Sequence, residues 1–212
     1  MNADRIAPSY RWIEYAAFGR ALEQARFEFL AQASEARRVL ILGEGDGRFL
    51  ARLLELNRQA SVEVVESSGR MIQLARSRLP PAERGRVEFR QMDALEQPLP
   101  AGPFDLVVSH FFLDILTAGD AEAVVHGVDA LLWPGAPWLV SEFQEPPGGL
   151  KKLHARLWLA AMYKFFAIAT GVRVSRLPRY RDLLKSRGFV ETAHRERRWG
   201  LIRSQVWRKP AS

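Results

Sequence analysis

Two hydrophobic periods alternate along this chain. Compact apolar runs at 38–42, 62–66, 87–91, 104–109 and 138–143 each stop at turn-forming residues. Runs this short, bounded by turns, read as buried strands. Between them lie segments whose apolar residues recur every three or four positions, the helical spacing. Segment 10–32 is the first (Trp12, Ala16, Gly19, Leu22, Arg26, Phe29, Leu30). Others are 49–56, the stretch with Met71, Ile72 and Ala75, then 120–132, 151–169 and 178–186. Ser67 and Ser68 stand where a helix cap is needed, and Asp120 stands before the next helix. Short polar side chains there accept the first unpaired backbone N–H groups.

Strands alternating with helices predict parallel βαβ units, with helices on both faces of one sheet. The last two apolar runs, 189–194 and 202–208, break that rhythm. Only a short Arg-rich turn with Gly200 separates them. That is too little chain for a helical crossover, so the two are expected to pair antiparallel. The expected fold is α/β: a doubly wound, seven-stranded, mostly parallel sheet with the last strand antiparallel. Residues 35–212 would form that domain, with 1–34 as an N-terminal helical segment before it.

Composition narrows the class. The 212-residue chain is 48% hydrophobic and sparse in Pro and Gly, too apolar for a disordered chain and long enough for a substantial core. It has no cysteine, which removes disulfides, thiolate metal ligands and a cysteine nucleophile. No metal site is expected. The start, MNADRIAPSYRWIEY, lacks the apolar core of a signal peptide. Both facts fit a cytoplasmic protein. The net charge of +7 conceals a division. Residues 1–150 carry 15 Arg against 21 acids, net −6, whereas 151–212 carry 16 Arg and Lys against 3 acids, net +13.

Candidate chemistry begins where the first strand meets Gly43-Glu44-Gly45-Asp46-Gly47. Alternate glycines let a backbone turn sharply and approach a ligand closely. The helix N-terminus that follows suits an anionic or polar group. Glu66 ends the second strand, where a carboxylate can accept hydrogen bonds from both ribose hydroxyls of a nucleoside. A dinucleotide loop would place a third glycine three residues after the second. Counted from Gly45, that position is Arg48.

Taken in order, these segments resemble the class I S-adenosylmethionine-dependent methyltransferases. VLILGEGDGRFL is similar to that family's first motif, with Gly43, Gly45 and Gly47 on its three glycines. VEVVESSGRMIQLAR resembles the second-strand motif. It implies Glu66 as the ribose-binding acid, with Ser67 beside it and Met71 flanking the adenine. VEFRQMDALEQPLP resembles the third, implying Asp93 at the adenine amino group and Ala94 at its ring. FDLVVSHFFLDIL and LLWPGAPWLVSEF resemble the fourth motif and the turn into the fifth strand. The similarity spans residues 38–208 and implies S-adenosyl-L-methionine as cofactor. One position departs. The family usually carries an acid two residues before the first glycine, and here that residue is Ile41. Glu44, within the loop, is the carboxylate that could take its place.

In the family reaction a nucleophile attacks a sulfonium methyl carbon in line, so the protein mainly aligns and desolvates the partners. An oxygen nucleophile also needs a proton acceptor. The carboxyl end of the fourth strand offers Ser109 on the cofactor side, and His110 and Asp114 as catalytic candidates. The plainer alternative for His110 and Asp114 is capping of a strand or helix. Phe111, Phe112 and Glu142 are expected at the substrate pocket, with Tyr10 and Arg11 on a lid formed by 1–34. Helix 151–169 is apolar nearly all round, and with Trp158 and Tyr163 would line a substrate chamber or meet a lipidic surface. MYKFFAIATGVRVSRLPRYRDLLKSRGF is similar to the corresponding region of ubiquinone/menaquinone-type methyltransferases.

The basic last third would meet an anionic substrate, an anionic membrane surface or RNA. RNA is the least favoured, because no proline-aromatic tetrapeptide follows the fourth strand. The function expected is methyl transfer to a small, aromatic or lipophilic acceptor, in the cytoplasm or peripherally at a membrane surface. The alternatives are an RNA methyltransferase of the same fold and a non-catalytic cofactor-binding or scaffold protein. The oligomeric state stays open.

Overall fold

A computed structural model describes residues 15, 17–170 and 177–211, with the side chains of 163–170 outside the description. In chain order the elements are α1 (Ala21–Phe27), β1 (Arg38–Leu42), α2 (Arg48–Leu56), β2 (Ser61–Glu66), α3 (Gly69–Arg78) and β3 (Val87–Gln91). Then come β4 (Leu106–His110), α4 (Ala118–Leu131), β5 (Pro137–Phe143), α5 (Gly149–Thr170), α6 (Tyr180–Ser186), β6 (Val190–Arg197) and β7 (Ile202–Arg208). The strands form one seven-stranded sheet in the order β3-β2-β1-β4-β5-β7-β6. Strands β1 to β5 pair parallel, and β7 lies antiparallel between β5 and β6. The expected fold class is therefore the observed one.

Side chains alternate across a strand, so a run apolar at every position needs cover on both faces. Val39, Ile41, Val62, Val64, Leu106 and Val108 meet Phe49, Leu50 and Leu53 of α2 on one face. Leu40, Leu42, Val65, Val107 and Trp138 meet Val124, Val125 and Val128 of α4, with Tyr180 and Leu184 of α6, on the other. A third cluster packs Phe18, Leu22 and Ala25 against Phe143, Ile202 and the Ala155, Leu159 and Met162 face of α5. The hydroxyls of Ser141 (3.0 Å) and Ser204 (2.8 Å) both donate to the Ala25 carbonyl. That carbonyl lies near the end of α1 and also accepts the Glu28 N–H at 3.4 Å. The two hydroxyl bonds pin α1 across β5 and β7.

Local chemistry moved some boundaries. The helix expected over 10–32 is interrupted: Gly19 is left-handed at φ +57°, α1 covers only Ala21–Phe27, and a 3-10 turn follows at Leu30–Ala33. Residues 1–14 and 16 lie outside the described residues. The α4 cap is Thr117 rather than Asp120: its hydroxyl accepts from the Asp120 N–H at 3.3 Å and donates to the Asp120 carboxylate at 2.6 Å. Strand β4 starts two residues late, because Phe104 makes only an isolated bridge to Leu132.

The carboxyl ends of β1, β2 and β4 lie side by side, where open α/β sheets bind ligands. There Gly43, Gly45 and Gly47 all adopt left-handed backbones. Their surroundings differ. A Cβ on Gly47 would lie 2.6 Å from the Ala75 Cα, so this glycine lets α3 pack against the loop. A Cβ on Gly45 would meet nothing within 4 Å. Gly47→Ala should therefore lower stability by about 3 kcal/mol, from the left-handed backbone plus the clash. Gly45→Ala should lose about 1 kcal/mol, from the backbone alone. Denaturant midpoints of the two variants check the ordering, and equal losses would contradict the packing argument.

Candidate active site

The site is assembled by hydrogen bonds between loops at the sheet edge. Gly43 N–H donates to the Val65 carbonyl at 2.9 Å, which aligns the glycine loop with the end of β2. Glu66 then serves three segments. Its Oε2 accepts from Gly45 N–H at 3.2 Å and its Oε1 from Ser68 N–H at 2.9 Å. Its carbonyl accepts from Met92 N–H at 3.2 Å. Ser68, not Ser67, caps α3, its hydroxyl accepting from Met71 N–H at 3.1 Å. Ser67 is half-buried beside Glu66, and Met71 is buried in the first turn of α3.

Charged pairs brace the loop from below. Asp46 accepts from Arg48 Nε at 2.9 Å and from Arg78 at 3.1 Å, while Arg78 Nε also donates to the Asp46 carbonyl at 2.9 Å. Arg48 and Asp46 are both buried, where a charge needs a matching partner. Glu44 turns inward and accepts from Leu50 N–H at 3.0 Å, in the first turn of α2. Burial pushes its carboxyl up to about 8, with the charges of Asp46 and Glu66 adding to the shift, and the Leu50 bond and Arg26 opposing it. Ile41, by contrast, is a core residue at 1% exposure. Glu44 is thus the carboxyl that the loop holds at this place.

Asp93 and Ala94 follow β3, both half-buried. Asp93 Oδ1 accepts from Leu95 N–H at 3.0 Å and its carbonyl from Glu96 and Gln97 N–H, so the turn fixes its orientation. Phe112 closes the glycine loop from the β4 side. A Cβ on Gly43 would fall 2.7 Å from its ring, which explains that glycine.

Along β4 the alternation of the strand separates the candidates. Ser109 points to the α4 face, is fully buried, and accepts from the Trp138 indole Nε1 at 3.0 Å. The expectation that it binds cofactor is corrected, because its hydroxyl is committed to the core. His110 points to the α2 side, edge-on to Phe49 at 4.8 Å. Neither of its ring nitrogens has a hydrogen-bond partner among the described residues. Burial, helped by the Arg26 charge, lowers its proton affinity to about 3. A general base for neutral pH needs a value near about 7. His110 is therefore an uncharged imidazole at neutral pH, a weak base and a hydrogen-bonding group at the end of β4.

Asp114 and Glu142 form a buried carboxyl pair, at 1% and 0% exposure. Glu142 Oε1 accepts from Phe112 and Leu113 N–H at 3.2 and 2.9 Å, and Oε2 from Asp114 N–H at 3.2 Å. Asp114 accepts from Phe143 N–H at 3.3 Å and hydrogen-bonds the Glu142 side chain. Burial raises Asp114 to about 6, and burial with the Asp114 charge lifts Glu142 well above the carboxylate range. The pair ties the turn after β4 to β5.

Phe111 sits between these groups in a left-handed backbone, φ +56°. Such a conformation in a bulky residue costs about 1–3 kcal/mol and needs its surroundings to enforce it. Its N–H donates to the Ser141 carbonyl at 2.7 Å, and its ring packs 5.2 Å from Phe143. Phe143 continues to Phe18 at 5.2 Å, and Phe18 to the half-buried Trp158 at 5.3 Å. This aromatic wall joins Phe111 to α5. The side chain of Tyr163 and the whole of Tyr10 and Arg11 lie outside the described residues.

One charged residue went unassigned in the sequence reading. Arg26, only 9% exposed, lies 5.1 Å over the Phe111 ring, and its charge reaches Glu44, His110 and Asp114. Its signal was in plain view: an arginine occupying a position of the apolar stripe of 10–32.

Residues 39–135 match the family model of a methyltransferase domain. The chain is 28% identical over 159 residues to the ubiquinone/menaquinone biosynthesis C-methyltransferase UbiE of Pseudomonas putida, covering 74% of this chain and 60% of that protein. It is 32% identical over 163 residues to the demethylmenaquinone methyltransferase of Thermus thermophilus, covering 76% of this chain and 72% of that protein. An O-methyltransferase family protein from Burkholderia thailandensis has a similar fold, with TM-score 0.69 and 19% identity over 93% of this chain and 62% of that one. The chain thus spans less than two thirds of the Pseudomonas relative's length.

The Glu44 carboxyl gives a pH signature. Its pKa is higher in the folded chain than the ordinary 4.5. Its contribution is thus full below about 4.5 and is lost as pH rises through about 8. Glu44→Gln mimics the protonated form and should flatten part of that fall. Urea midpoints of both proteins between about pH 5 and about pH 9 check it. Parallel curves would show that Glu44 ionises normally.

Proposed function

The chain belongs to the class I S-adenosylmethionine-dependent methyltransferases, and on that ground we propose that it binds S-adenosylmethionine on the glycine loop and methylates a small, lipophilic, aromatic acceptor. The observation that carries the cofactor reading is the Glu66 carboxylate. Gly45 and Ser68 N–H groups hold one lone pair on each oxygen. A carboxylate held in this way at the end of the second strand suits the two ribose hydroxyls of a nucleoside. The left-handed Gly45, with open space at its Cβ position, leaves room for a ligand against the loop backbone. Asp93 and Ala94 would meet the adenine, with Ser67 and Met71 on its other side. Glu44, protonated at neutral pH, would offer a hydroxyl near the methionine end.

Bound S-adenosylmethionine supplies an electrophilic methyl group on a sulfonium. The chain's own residues must then bind and orient the acceptor and exclude water. Phe111, Phe143 and Trp158 provide an apolar wall for a flat ring. Arg26 over Phe111 places a buried cation at that wall. A nearby cation favours the ionised form of an acidic acceptor. An enol or phenol would therefore lose its proton more readily there without a residue acting as strong base. His110, neutral and with unpartnered nitrogens, could hydrogen-bond the acceptor oxygen. The relatives' names support a lipophilic quinone-like ring, and they differ over carbon or oxygen as the methylated atom.

A thermal-shift panel tests the reading. S-adenosylmethionine and S-adenosylhomocysteine should each raise the apparent Tm, by about 2.7 kcal/mol of stabilisation at a hundredfold excess over Kd. NAD(P) should not. No shift with S-adenosylmethionine, or an equal shift with NAD(P), would overturn it.

A further inference from the structure

Among the described residues eight large apolar side chains are exposed, and half of them gather on one face. Leu150, Leu153 and Leu157 are 82%, 55% and 65% exposed. Their spacing puts them on one stripe of α5. Exposed Ala160 and Ala161 continue it. The other stripe of this helix, Ala155, Leu159 and Met162, is buried in the core. Helix α5 therefore has two apolar faces, and the protein itself covers only one. Trp199, 68% exposed at the tip of the β6–β7 hairpin, extends the open face. Its ring lies 5.4 Å from that of His154, which sits one helical turn from both Leu150 and Leu157. Arg198 and Trp199 are both left-handed, at φ +52° and +57°, so the turn spends backbone strain on an arrangement that leaves an indole in solvent.

Charge identifies what this face suits. Lys151, Lys152 and Arg156 flank the leucines, and exposed Arg195 and Arg198 flank Trp199. The nearby carboxylates are Glu145, 3.9 Å from Lys152 and 3.4 Å from Arg156, Glu28, 3.8 Å from Arg195, and Glu196, which pairs with Arg203. Cations therefore predominate. The lysines stand in the first turn of α5, which has no acid. Cations there oppose the helix dipole, so helix stability does not account for them. A second copy docking face to face would set these cations near one another. No described helix is long and apolar enough to cross a membrane. An apolar stripe with an aromatic anchor and a basic border is the pattern of a helix lying in the plane of an anionic lipid surface.

We propose that this face docks on an anionic bilayer: Leu150, Leu153, Leu157 and Trp199 enter the headgroup boundary while Lys151, Lys152, Arg156, Arg195 and Arg198 meet lipid phosphates. The inference is independent of the methyl-transfer reading. Sedimentation with vesicles tests it, using phosphatidylcholine alone and phosphatidylcholine mixed with phosphatidylglycerol. The full chain should bind the mixed vesicles, bind the neutral ones far less, and weaken with added salt. Leu153→Asp/Leu157→Asp and Lys151→Glu/Lys152→Glu should each reduce binding at least roughly tenfold. Circular dichroism and the shift with S-adenosylmethionine should be unchanged, which separates loss of docking from loss of the site. Three results would overturn the proposal. The first is no binding of the wild-type chain to mixed vesicles. The second is a loss in the lysine variant only, which points to a purely electrostatic contact such as RNA. The third is a dimer in analytical ultracentrifugation that the leucine variant makes monomeric, which gives the face to a second copy.

Discussion

The Glu66 carboxylate is the point on which the site depends. Strand β2 is buried from Val62 to Val65, and its last residue emerges half-buried as an acid. One oxygen holds the Gly45 N–H, the other the Ser68 N–H, and the carbonyl holds Met92. Loops after β1, β2 and β3 thus take their positions from one residue. Hydrogen bonds to a charged acceptor are stronger than neutral ones, and they favour the ionised form. The same orientation sets the carboxylate at the carboxyl end of β2, where open α/β sheets bind ligands.

Around that point the charges are sorted by burial. Asp46 pairs with Arg48 and Arg78 and stiffens the loop. Glu44 is governed by burial, which raises its proton affinity against the opposing charge of Arg26. Asp114 and Glu142, deeper still, are shifted towards their protonated forms by burial while accepting backbone N–H groups from the turn they close. His110 goes the other way and stays neutral beside the Arg26 charge. The outcome is a site poor in strong bases, with the Arg26 cation buried at its aromatic wall, which matches a reaction in which alignment and desolvation supply most of the rate.

Much of this was legible in the chain. The strands β1, β3 and β7 fall where the apolar runs stand, and the antiparallel end followed from the short turn at Gly200. The glycine loop and Glu66 were readable because their geometry has few sequence solutions. The residues after β4 were not. Ser109, His110 and Asp114 are each chemically able side chains, and only the alternation of the strand and the packing of Trp138 and Glu142 decide which is spent on structure. Arg26 escaped for a related reason. Its role depends on α1 crossing β5 and β7, a contact set by hydroxyls at Ser141 and Ser204 far along the chain.

The charge division of the sequence also acquires a location. The acidic portion builds the loop and its neighbours, and part of the basic portion borders the open face of α5 and the final hairpin. The most direct measurement remains at the loop: isothermal titration of S-adenosylmethionine into the wild-type chain and Glu66→Gln, with unfolding of both followed in urea. Glutamine keeps one acceptor oxygen and the side-chain shape but loses the charge and the second acceptor. Affinity should fall by roughly tenfold or more while stability falls by no more than about 2 kcal/mol. Undiminished affinity in a folded Glu66→Gln protein would contradict the assignment of this carboxylate to the cofactor.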